Sequence, residues 1–405
     1  NAVRGVYMTN GAVLCGFTIS NGHTVGQMGQ YYDPDCRGAG IYATCGSLAT
    51  NCHIVGNHAG HAAGGVFLYR SSLYGATVAC NTAGAFAGVE MLERSTLAAT
   101  RVVSNSARIT GGGLGAYSGS HAFDCIVAGN TASNAAGGCV VWQDASLTRC
   151  AIAQNHSIEM AAVWVLSNGC LSGCSVVSNH SAGGAVYFSS GAGGVATNCH
   201  IAWNSGRHSG GICLNQHGNV SDSIVEYNCS THYGGGGALL MQGGALHTSI
   251  IRNNNATGQY GKGGGVECFG GGLIVHCTII ANHAEALDET GQGGGVYMYA
   301  GGMVSSSYIC GNSVGGNTRG GLGGGVCMRD GGIVTHSLVC ANQAMPSYDS
   351  ADSARGGGVF VAGGGAIDNC LIVSNRAEHR SSFGGGVCSP DSSLVAANCT
   401  IVANY

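Results

Sequence analysis

Carboxylates are few in this sequence, and their placement limits the chemistry it can support. Asp and Glu together number 19 in 405 residues. Cleaving a glycosidic bond by hydrolysis needs two carboxyl groups held across that bond. Lyase chemistry on an acidic polysaccharide needs a carboxylate cluster for Ca²⁺ and a basic residue to take the proton. The chain has no Asp-Asp pair, no Asn-Thr-Asp and no Gly-Gly-x-Gly-x-Asp. Asp124, Asp144, Asp222 and Glu226 fall in different stretches of the chain. Glu90, Glu93 and Arg94 are the nearest thing to a local cluster and read as a solvated surface group. No catalytic residue is assigned, and enzyme activity is not expected.

The 16 His and 21 Cys raise the question of metals. His58, His156, His180 and His283 each follow a recurring Asn, and His156 and His180 stand one period apart. A pair of that kind could hold a metal, but a stack of turn-exposed rings is the plainer reading. No Cys-x-x-Cys carries a zinc-like partner spacing. No metal or cofactor is therefore assigned. Eight cysteines share one small-residue position, where a thiol behaves as a compact hydrophobe. Stacked parallel side chains rarely reach the torsion of a disulfide, so free thiols are expected. Cys310 and Cys340, at matching outward positions, are the pair most worth checking.

The recurring Asn reveals the elements that hold these groups. It stands at Asn57, Asn81, Asn105, Asn130, Asn155, Asn179, Asn204, Asn228, Asn254, Asn282, Asn312, Asn342, Asn375 and Asn404, spaced 24 to 33 residues apart. Three residues before each lies Ile or Val, and two residues earlier a small residue such as Cys125, Cys150, Ser223 or Cys277. Period-two spacing puts both on one face of a strand. A helical repeat would need long stretches with 3.6-residue periodicity, whereas clusters such as Gly263-Gly264-Gly265 and β-branched alternation oppose helix. Copies such as GGGVYMYAGGMVSSSYICGNSV from Gly293 and GGGVCMRDGGIVTHSLVCANQA from Gly323 repeat the pattern.

The expected fold is an all-β, right-handed parallel β-helix of about fifteen coils with three short strands each, like residues stacking ~4.8 Å apart. Residues 1–405 read as one such domain. Residues 1–36 form a degenerate first coil, 37–260 the regular coils, and 261–405 longer coils with one-sided loop insertions. The Asn residues read as a structural ladder of stacked amides.

One strand breaks the alternation. Positions that should face solvent carry Tyr7, Tyr42, Phe67, Tyr69, Tyr117, Trp142, Trp164, Tyr187, Phe269, Tyr297, Tyr299 and Phe360. A strand apolar on both faces is normally covered on both, and a large exposed apolar stripe marks an interaction surface. This face is the candidate interaction site: a lateral contact with another copy, a platform for sugar rings, or a surface covered by the chain's own loops. The chain starts without Met and stops inside a repeat, which suggests a processed product or a segment. Uncapped strand edges would favour head-to-tail filaments or another homo-oligomer.

Composition narrows the class further. Charged residues make up 8% of the chain and the formal charge is −4, with 15 scattered Lys and Arg, so no nucleic-acid footprint exists. No apolar run reaches the length of a transmembrane helix. The paired Gly356-Gly357-Gly358-Val359 and Ile372-Val373-Ser374-Asn375 motifs resemble the repeats of polymorphic outer-membrane proteins. The texture also resembles the large Gly-rich β-helix surface proteins of bacteria. That resemblance covers the whole chain. It implies export to the cell surface or beyond, and an adhesin-like structural role with a glycan or cell-surface ligand. The C-terminal barrel of the first family has no counterpart here.

Overall fold

A computed structural model describes residues 3–26, 34–189, 191, 193–317, 319–347, 354–378, 382–391 and 393–405. Asp349 and Asp352, in the stretch 261–405 read as longer coils with loop insertions, lie outside these residues. The chain forms two compact units, one of residues 1–182 with 191–199 and the other of residues 183–190 with 200–405. Each is an all-β parallel solenoid, with about 13 turns between them. Among the described residues the helical content is a single 3₁₀ turn, Pro34–Cys36. No helix among them is long and apolar enough to cross a membrane.

A coil of the first unit shows the repeat. Val66–Tyr69, Ser72–Tyr74, Thr77–Ala79 and Thr82–Ala85 are successive strands. Each pairs in parallel with its counterpart in the next coil, as Val66 with Val89, Leu73 with Leu97 and Val78 with Val102. The chain thus runs through four rows of short strands per coil where three were expected. The fourth row arises because the few residues after each Asn also find a ladder partner, as Thr82 does with Ser106.

Inward residues are as the alternation requires. Ile54, Val78, Val102, Val127 and Ile152 in the first unit are fully buried, as are Val225, Ile251 and Ile279 in the second. Cys125, Cys150, Cys174 and Cys199 form a buried column of the first unit. Cys150 Sγ donates to the Ala122 carbonyl at 3.6 Å and Cys174 Sγ to that of Leu147 at 3.4 Å. All 21 cysteines are free thiols, including the in-register pair Cys310 and Cys340.

Left-handed residues turn the corners before these columns. Asp124 and Arg149 precede Cys125 and Cys150 with φ of 54° and 50°, and Ser104 and Gln154 precede Asn105 and Asn155 with φ of 54° and 55°. Such a conformation costs about 1–2 kcal/mol for a residue with a Cβ, so stacking must offset it at every coil.

The Asn ladder supplies much of that stacking. In the first unit Asn57, Asn81, Asn105 and Asn130 each donate their backbone N–H and side-chain amide to the Oδ1 of the next Asn, at 2.9–3.0 Å. The same bonds run from Asn228 through Asn254, Asn282, Asn312 and Asn342 to Asn375 and Asn404 in the second unit. Gly88 shows why glycine recurs beside this ladder. A Cβ there would lie 2.4 Å from the Gly113 carbonyl oxygen and 2.6 Å from Val102 Cγ1. Gly88→Ala is expected to cost about 3 kcal/mol by forcing coils apart. A denaturation midpoint matching the parent's would show that the coils separate easily.

Candidate functional site

In the first unit, the outward side of the first strand row carries a cleft. The ladder stacks Tyr42, Phe67, Glu90, Gly115, Val140 and Trp164 at equivalent positions. Gly115 leaves a gap in this column, and Phe86, from the preceding corner, fills the space beside it: a Cβ on Gly115 would meet Phe86 Cδ1 at 2.5 Å. Phe86 meets Tyr117 edge-on with ring centres 5.3 Å apart, and Tyr117 meets Trp142 at 5.7 Å. Trp142 Nε1 donates to Ser167 Oγ at 3.0 Å, which fixes the indole.

Arg37 sits at the floor of this arrangement. Its Nη1 donates to Glu90 Oε1 at 3.1 Å, with both side chains buried, and its guanidinium lies 5.5 Å from the Phe67 ring centre. Burial pushes the Glu90 carboxyl up to about 7, and the Arg37 charge opposes that shift without cancelling it. Glu90 Oε2 is buried and accepts no hydrogen bond among the described residues. The reading of Glu90 as part of a solvated group is therefore corrected, while Glu93 and Arg94 do reach solvent. Glu90 is 3% exposed, because Arg37 closes over it, while Glu93 faces solvent 3.7 Å from Arg70.

The resulting cleft of about 470 Å³ is lined by Tyr69, Phe86, Leu92, Tyr117 and Trp142, with Arg37, Glu90, Glu93, Ser118 and Gln143 as its polar groups. Ser118 Oγ donates to Gln143 Oε1 at 3.0 Å. Apolar and aromatic walls with a few directed polar atoms are the usual make-up of small-ligand sites of roughly 300–1,000 Å³.

The aromatic positions of the outward face have separate fates. Tyr7, exposed, stacks on Tyr42 at 5.4 Å, and Tyr42 on Phe67 at 4.7 Å. Phe67 itself is buried. Tyr69, Tyr117 and Trp142 line the cleft, and Trp164 packs half-buried in the same cluster. In the second unit Tyr187 is half-buried, and Tyr297 and Phe360 are buried together with Leu322 and Cys327. Phe269 and Tyr299 remain exposed, stacked at 5.3 Å. Among the described residues these positions form no continuous open stripe, because side chains from the corners and inserted loops (Arg37, Phe86, Leu322) cover parts of the face.

The remaining candidates stay apart. Asp124 pairs with Arg149 through two bonds of 2.8 Å, and that hydrogen bonding holds its carboxyl below the usual range. Asp144 accepts from Asn168, and Asp222 from Thr248. Glu226 accepts from Arg252 at 2.6 Å and lies 2.8 Å from His200 Nε2. His156 and His180 stack face to face at 5.2 Å, and His58 Nδ1 lies 2.8 Å from Thr82 Oγ1. His283 lies 2.8 Å from Ser313 Oγ. Among the described residues no three His, Cys, Asp or Glu side chains gather as metal ligands would.

Arg37 and Phe86 were invisible as site residues in the sequence. Both sit in irregular corners a few residues before a first-row strand, where no alternation assigns a side. No family model matches the chain, and no curated protein matches it.

Proposed function

We propose that this chain is a non-enzymatic, exported, right-handed β-helix that binds a carbohydrate in the aromatic cleft of its first unit. The observation that carries this reading is the union of Tyr117 and Trp142 with an unsatisfied, buried Glu90 Oε2 at the cleft floor. Sugar rings offer both an apolar C–H face for aromatic walls and hydroxyls that either accept from or donate to a carboxyl group. Right-handed crossover is the rule for parallel strands joined in one sheet. Export and an adhesin-like role rest on the resemblance of the Gly-rich repeats to bacterial surface proteins.

A glycan array followed by calorimetry tests the reading. Trp142→Ala is expected to weaken binding by ~30-fold, and Glu90→Gln to weaken it less. Glycan binding unaffected by both variants would remove the cleft as the site. Robust turnover of a bound polysaccharide would overturn the non-enzymatic part, with Glu90 as the first residue to examine because its carboxyl holds a proton up to about pH 7.

A second reading is lateral self-association. It is favoured by the exposed Phe269–Tyr299 stack of the second unit. Sedimentation of the parent and of a Phe269→Ser, Tyr299→Ser variant distinguishes it: a monomeric parent at high concentration would dispose of it.

A further inference from the structure

The chain has only 15 Lys and Arg, yet three arginines line one cavity of about 460 Å³ in the second unit. They reach it from three different elements. Arg319 opens the inserted strand Arg319–Leu322, whose register places it against Thr290. Arg329 ends the first-row strand Val326–Arg329. Arg355 bridges Leu322 on one side and Phe383 on the other. Thr290, Phe360 and Pro390 contribute to the same wall.

Among the described residues none of the three arginines forms an ion pair. Arg329 Nε is buried without a hydrogen-bond partner among them, while the Arg329 side chain interacts with the Cys327 thiol. The Arg355 guanidinium lies 5.8 Å from the centre of the Phe383 ring, which holds it over that face. Asp288 and Glu289 border an adjoining cavity that takes in Arg319 and Arg329, but neither lines the one that all three arginines share. Converging like charges cost free energy unless a counter-charge joins them. A guanidinium presents paired N–H groups that match the oxygens of a carboxylate, sulfate or phosphate.

We propose that Arg319, Arg329 and Arg355 form a binding site in the second unit for an oxyanion carried on an organic ligand. The anion sits among the three guanidinium groups that line the cavity. The apolar body of the ligand rests on Phe360 and Pro390. This site is separate from the aromatic cleft, and neither depends on the other.

Calorimetry on the full chain at low ionic strength tests it, with inorganic sulfate, inorganic phosphate and phenyl phosphate as probes and chloride at equal ionic strength as the control. All three oxyanions are expected to bind above the chloride background, with phenyl phosphate tighter than inorganic phosphate. Arg319→Gln and Arg355→Gln, at exposed positions, are each expected to weaken binding by about tenfold. Arg329→Gln should weaken it further, and the two exposed variants keep the test valid if this half-buried one fails to fold. No binding above chloride, or unchanged affinity in both exposed variants, overturns the site. Phenyl phosphate binding no tighter than inorganic phosphate overturns the organic body of the ligand.

Discussion

Asn130→Ala is expected to destabilise the first unit by about 4 kcal/mol, among the largest effects of any single substitution in this chain. Asn130 is fully buried and takes part in four side-chain hydrogen bonds. Its amide donates to Asn155 Oδ1 at 3.0 Å and to the Val102 carbonyl at 2.9 Å. Its Oδ1 accepts from the backbone N–H of Asn105 at 2.9 Å and from the Asn105 amide at 3.0 Å. Alanine removes all four, stranding two N–H groups of Asn105 and taking one donor from the Val102 carbonyl, while Asn155 Oδ1 keeps the backbone N–H of residue 130. Each stranded group costs about 1–3 kcal/mol; relaxation and water entry recover part of the sum. Asn130→Asp tests the same site in another way, since it keeps the acceptor but brings a buried charge and loses the donor. Urea denaturation of parent and variants checks the expectation. Asp124→Ala, at an exposed corner of the same coil, is the control and should shift the midpoint little. Equal midpoints for Asn130→Ala and Asp124→Ala would show that the ladder decorates the solenoid without holding it.

Stability is expected to fall between about pH 4.5 and 7, a direction opposite to that of most acid-sensitive proteins. Two carboxyls drive this, Glu90 in the first unit and Glu267 in the second. Both are buried, and burial raises each from 4.5 to about 7 against the pull of Arg37 and Lys262 respectively. Below about pH 4.5 both carry a proton whether the chain is folded or unfolded, and their contribution is complete. As pH rises the unfolded chain ionises first, so the folded state loses ground until its own carboxyls ionise near pH 7. Each group accounts for ~3 kcal/mol across that window. Asp124, Asp222 and Asp391 act in the other sense, since hydrogen bonds hold their carboxyls low and that stabilisation is lost as pH falls through their own range. They are fully exposed, so their effect is small.

Glu267→Gln isolates one of the two contributions. Its Oε2 is buried without a hydrogen-bond partner among the described residues, so an uncharged amide of the same shape removes the penalty of ionisation. The variant should match the parent near pH 4 and exceed it near pH 8, by up to ~3 kcal/mol. A parent whose midpoint is flat from pH 4.5 to 7.5 would refute the expectation. So would a Glu267→Gln variant with the parent's slope.

The parallel solenoid was legible because stacking imposes the same demand at each coil. Ile152, Cys150 and Asn155 each sit above a residue of their own kind or size, so the requirement is written again every 24 to 33 residues. The fourth strand row escaped notice because pairs such as His156–Ser157 are too short to show alternation. The left-handed corners escaped it too. Asp124, Arg149, Ser104 and Gln154 share no residue type that favours such a turn.

The candidate site was legible in part. Alternation identified the outward aromatic positions Tyr69, Tyr117 and Trp142, and these do line the cleft. It also placed Glu90 outward, but outward is not the same as exposed. Arg37 lies 53 residues before Glu90 and bonds to it across non-adjacent coils, a separation that no local pattern encodes.

The sequence alone determined the repeat, its inward columns and the Asn ladder, because those depend on period and on which side of a strand a residue occupies. Only the tertiary structure decided which outward residues stay in water. That depends on whether a corner or loop from another coil crosses above them, as Arg37 does over Glu90 and Phe67, Phe86 beside Gly115, and Leu322 beside Tyr297 and Phe360. Such crossings bound the outward aromatic positions of the first unit into a cleft, and in the second unit Arg319, Arg329 and Arg355 reach one cavity from separate elements.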